Sequence, residues 1–176
     1  MKLWIWLFVA LTCACGVPPK KYLSNDLYRY SMKNAPSAYL NPEIMTYVND
    51  FLQLLHNHGV RGDGSMSHLR HVDFGAPETA ESWGSCSFNR MPIMGFDKED
   101  YSVIMIDPAA KDEGPLSLRA VIYHESAHCL FSVDHSPDGN SLMFAVAHDE
   151  AFLEEHFNTM ADNLAQGIAD GNIEKF

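Results

Sequence analysis

His124-Glu125-Ser126-Ala127-His128, with Asp134-His135 close behind, is the part of the chain richest in chemistry. On a helix, two histidines four apart share one face, about one turn from each other. One metal ion can then take a nitrogen from each. Glu125 stands beside them, near enough to take a proton from a metal-bound water without being a ligand. Imidazole suits zinc, and zinc lowers the pKa of bound water to near ~7. A carboxylate can accept that proton while the water attacks a carbonyl.

Working outward, Leu118, Val121 and Ile122 recur at helical spacing, so the spacing predicts a buried helix over residues 115–131 that carries the motif. Pro115 fits its first position. Asp134 offers a third ligand six residues after His128, and His135 adjoins it. Pro137-Asp138-Gly139-Asn140 is a strong turn signal, and Ser141-Leu142-Met143 follows it. Each feature has a bland reading: a solvated helix face, a surface loop, a core methionine. Their occurrence together favours a metal centre.

The motif H-E-x-x-H, the aspartate downstream and the methionine after it resemble the metzincin clan of zinc peptidases. The resemblance implies an α+β, zincin-like (metzincin-type) domain: a small mixed sheet, an active-site helix and a C-terminal helix. It implies Zn2+ held by His124, His128 and Asp134, with Glu125 as general base and Met143 in the Met-turn. An aspartate followed by a histidine is similar to the small bacterial snapalysin-type enzymes, where the aspartate binds and the histidine does not. The run is also similar to bacterial lipoprotein metallopeptidases. The match is strong over about twenty residues from His124 to Met143 and extends weakly back to Trp83. One departure bears on the third ligand. The clan's glycine, which leaves the helix with positive φ, falls at Phe131, a residue poorly suited to that conformation. Either the helix exits differently and Asp134 binds, which the spacing favours, or the loop is shifted by one residue and His135 binds.

The chain has 176 residues, enough for one domain with a core. Its formal net charge of −11 argues against nucleic acid or an anionic membrane surface as partner. Residues 1–15 place one lysine before a nine-residue apolar run and then Thr12-Cys13-Ala14-Cys15. This reads as a signal peptide, too short to span a bilayer. Cys15, before Gly16, suits lipidation better than Cys13; ordinary cleavage is the competing reading. Either way the protein is exported, to the cell envelope or beyond, and a lipid is its expected link to a membrane. Residues 16–42 read as a tether, and 43–176 as one metallopeptidase domain. Within the domain, Cys86 and Cys129 either pair as a disulfide, which would contribute on the order of 4 kcal/mol, or stay as two buried thiols.

Residues 43–57 carry a helical stripe opened by Pro42 and ended by Gly59. His56 and His58 read as helix-end histidines facing the dipole rather than as a second metal site. Residues 69–74 alternate weakly, as a strand does. Ser102–Asp107 is a β-rich run, read as part of the substrate-pairing edge, and Asp107 to Gly114 as a linker. A last helix is expected over 147–168. The implied reaction is hydrolysis of a peptide or protein substrate. His148 and Tyr123 lie within sequence range of an oxyanion-assisting role. Two alternatives remain: a gluzincin-type site with Glu150, 22 residues after His128, as third ligand, and a non-catalytic metal-binding module of the envelope. The sequence is silent on oligomeric state.

Overall fold

A computed structural model of the chain describes residues 39–61, 66, 69–78, 82–91 and 99–171. The expected signal peptide, Cys15 and residues 16–38 of the expected tether lie outside them.

Among the described residues the fold is α+β. Strands β1 (Tyr39–Leu40), β2 (Leu69–Phe74), β3 (Gly84–Met91) and β4 (Glu99–Ile106) form a mixed sheet in the order β1-β2-β4-β3. β1 and β2 are parallel, as are β2 and β4, while β3 runs antiparallel to β4. The helices are α1 (Pro42–Asn57), a short α2 (Ala110–Glu113), α3 (Pro115–Phe131) and α4 (Glu150–Asp170).

The strand over 102–106 is therefore interior, and β3 is the edge strand beside it, with β1 at the other edge. Ser102 to Ile106 are all buried, as expected of a strand covered on both faces. β3 reads Gly-Ser-Cys-Ser-Phe-Asn-Arg-Met, without a β-branched residue, so its local preference for a strand is weak. Its register with β4, Gly84 opposite Ile106 through Met91 opposite Glu99, makes it one. Within the expected linker, Asp107 accepts a hydrogen bond from Ala109 N–H and a single helical turn, α2, follows.

α1 begins as the sequence indicates. The Asn41 side chain caps it by accepting from Glu43 N–H, Pro42 opens it, and Ile44, Val48, Phe51 and Leu55 make its buried stripe. α3 is buried nearly all round, which marks a helix between two layers. Leu118, Ile122 and Leu130 pack with Val72, Ile104 and Ile106 of the sheet. Tyr123 and Ala127 pack with Phe51 of α1 and with Leu153, Phe157 and Leu164 of α4. α4 starts three residues later than expected, at Glu150, because Asp149 caps it by accepting from Phe152 N–H. No helix among the described residues is long and apolar enough to cross a membrane.

Candidate metal centre

His124 and His128 stand one turn apart on α3, and the loop after the helix brings His135 to them. The three Nε2 atoms form a near-equilateral triangle: 3.0 Å between His124 and His128, 3.1 Å between His124 and His135, and 3.2 Å between His128 and His135. These are the residues that could hold a metal ion; two are buried and His135 is exposed.

The backbone fixes which nitrogens face inward. His124 Nδ1–H donates to the Leu142 carbonyl at 2.7 Å, and His128 Nδ1–H to the Val133 carbonyl. In a neutral imidazole the other nitrogen then carries a lone pair. Two lone pairs 3.0 Å apart cannot bond each other, but a cation between them satisfies both. Burial keeps the rings neutral. It pulls His124 down to about 3, helped by the neighbouring His128 charge, and His128 down to about 4. His135 is also lowered by burial, partly offset by Asp134. Nitrogens bound to one tetrahedral zinc at 2.0–2.1 Å lie about 3.3 Å apart, so the triangle fits that ion.

Asp134, which the spacing favoured as third ligand, does not join this group; it lies beside His135 along the wall of a neighbouring polar cleft. The cause is the way the helix ends. Phe131 stays in α3 and packs edge-on against Phe51, with centroids 6.2 Å apart. The left-handed residue is the next one, Ser132 (φ 53, ψ 42), whose N–H returns to the His128 carbonyl. The helix exit moves by one residue, and His135 rather than Asp134 joins the cluster. Met143 is buried in the core. Its carbonyl accepts the Ser136 N–H and ties down the loop that bears His135.

Glu125 faces β3. Gly84 leaves room for it: a Cβ there would come within 2.6 Å of Glu125 Cγ and 2.8 Å of Oε1. Burial pushes the Glu125 carboxyl up to about 8, against the pull of a hydrogen bond from the Cys86 N–H. Cys86 and Cys129 are joined by a disulfide, Cα to Cα 5.5 Å, that ties the edge strand to the helix. Beside Glu125 and His124 an apolar pocket opens between α3 and the segment after Met143, with Trp83, Val121, Leu142, Phe144 and Val146 in its walls.

His148 also lines that pocket; its ring stacks on Phe152 and its Nε2–H meets the Ser141 carbonyl at 3.1 Å. Tyr123 does not reach the cleft. It is buried toward α1 and α4, with its hydroxyl held by Arg119. Glu150 lies outside the histidine cluster: its carboxylate accepts from Leu116 N–H, Ser117 N–H and Ser117 Oγ–H at the start of α3. Burial raises its pKa, and those three bonds outweigh burial, so the net shift is downward. His58 caps α1 and reaches Gln166 and Asp162 of α4, a structural role. Sequence alone offers the Cys86–Cys129 pairing but does not mark residues 84–91 as a strand. The signal available was Gly84-Ser85-Cys86, a glycine two residues before a cysteine with a partner on the motif helix.

Comparison with family models, with curated proteins and with solved structures gave no match. The functional reading therefore rests on the geometry and on the motif.

Proposed function

We propose that the chain is a zinc-dependent peptidase of the metzincin type, with His124, His128 and His135 as zinc ligands and Glu125 as general base. The observation that carries the reading is the triangle of Nε2 atoms, with the His124 and His128 rings fixed by backbone carbonyls and a carboxyl on the adjoining residue. A structural site has no use for that carboxyl. Zinc bound there would supply Lewis acidity toward a carbonyl and bring the pKa of water near ~7.

The chain's own residues do the rest. With a divalent cation held by the histidines Glu125 would be ionised, and its carboxylate would take the proton of the attacking water and return it to the departing amine. The buried seam between α3 and β3 keeps bulk water from its carboxyl. The open edge of β3 is suited to receive an extended peptide by main-chain hydrogen bonds. The apolar pocket beside Glu125 suits an apolar side chain next to the scissile bond. The Cys86–Cys129 disulfide supports an exported protein, since such bonds persist in oxidising compartments.

The test is a peptide library offered to zinc-loaded protein and to Glu125→Gln. Cleavage that falls by roughly 10²–10⁴-fold in the variant, at unchanged zinc content, supports the reading. Zinc bound by both without cleavage by either supports a non-catalytic metal-binding module.

A further inference from the structure

Val121, Glu125 and Cys129 recur every fourth residue on α3 and form one stripe. That stripe lies against β3. Gly84 meets Val121 and Glu125, and Cys86, two residues along the same strand face, meets Glu125 and Cys129. Cys86 thus touches Glu125 twice, by different routes. Its N–H donates to the carboxyl, and its sulfur is bonded to a residue one helical turn beyond that carboxyl. The result is a closed ring: Glu125, one turn of α3, Cys129, the disulfide, Cys86, and the hydrogen bond back to Glu125.

β3 is an edge strand, paired on one side with β4. Its distance from α3 is therefore less constrained than that of an interior strand. None of the three metal-binding histidines lies on it. On the helix side Cys129 adjoins His128, whose ring is held separately by the Val133 carbonyl, so the strand end of the cross-link is the part that bears on the carboxyl.

We propose that the Cys86–Cys129 disulfide is a positioning element for Glu125: it holds the Cys86 N–H on the carboxyl and the carboxyl beside the three histidines. This rests on the peptidase reading for its catalytic consequence. The hydrogen bond itself can be followed without any substrate.

The experiment compares zinc-loaded wild type with Cys86→Ala/Cys129→Ala by two readouts. The first is amide hydrogen exchange at position 86, relative to the neighbouring residues of β3 and β4. The second is kcat and KM on a cleaved peptide, measured well below the melting temperature of either protein. The expected result is selective loss of protection at residue 86 and a fall in kcat of about 10²-fold, the usual effect of a small misplacement, with zinc content and KM unchanged. Protection at residue 86 and kcat both unchanged, with only a lower melting temperature, overturn the proposal and leave the bond as a structural staple. If wild type cleaves nothing, the peptidase reading fails, while the exchange readout still decides the positioning claim. If the double variant does not fold, native-state reduction of zinc-loaded wild type with a phosphine opens the Cys86–Cys129 bond without a substitution. The reduced protein must then show the same loss of protection at residue 86 and the same fall in kcat; the values of the unreduced protein for both overturn the account.

Discussion

Ser132 and His135 stand three positions apart, and the left-handed turn at the first delivers the imidazole of the second to His124 and His128. In the motif that the sequence resembles, glycine and third ligand have the same separation.

The turn carries a cost. Ser132 sits at φ 53, where a side chain is disfavoured by roughly 1–2 kcal/mol. Ser132→Gly is expected to stabilise the domain by on the order of 1 kcal/mol, a rise of roughly 2–4 °C in melting temperature. Zinc content should not change. Differential scanning calorimetry with elemental analysis checks both; a lower melting temperature would mean that the serine side chain contributes more than its backbone strain removes.

Glu150 supports the start of α3 rather than the metal. Glu150→Ala removes the acceptor for Leu116 N–H and Ser117 N–H and a negative charge at a helix N-terminus. The expected cost is about 1–2 kcal/mol of stability, read as a lower denaturation midpoint, with one metal per chain retained. Loss of metal from a folded variant would restore Glu150 as a ligand.

Two groups of the centre make the metal-free domain sensitive to pH in opposite directions. His124 and His128 are held at about 3 and about 4 by burial, below their ordinary 6.5. Their contribution is present above 6.5 and is lost as pH falls through those values. Glu125 is raised from 4.5 to about 8, so its contribution is full below 4.5 and is lost as pH rises toward 8. Glu125→Gln removes only the second effect. Its melting temperature, minus that of wild type, is expected to grow between those two pH values. Thermal melts of the metal-free proteins across that range check this; a constant difference would show that the Glu125 carboxyl ionises alike in folded and unfolded chains.

Most of the scaffold was legible because periodicity reports burial. The stripe from Ile44 to Leu55, the run Ser102–Ile106 and the helix from Pro115 to Phe131 all stand where the pattern puts them. β3 was not legible, because Gly84-Ser85-Cys86-Ser87 has no strand preference of its own and is held by β4 and the disulfide. Nor was the third member of the histidine cluster. Counting from His128 gives Asp134, but the chain leaves the helix according to where Phe131 finds its partner. Phe51, 80 residues earlier, is not visible from the motif. Glu150 showed the same limit: its spacing was permissible for a ligand, and only the fold shows that the start of α3 takes it.

The central claim is that three histidines form the metal site, and metal content of purified Asp134→Ala and His135→Ala beside wild type tests it most directly. The account predicts one zinc per chain in wild type, nearly the same in Asp134→Ala, and loss of zinc in His135→Ala while the fold, judged by circular dichroism, persists. Zinc lost with Asp134 and kept without His135 would contradict it and return the ligand to the position the motif spacing favoured.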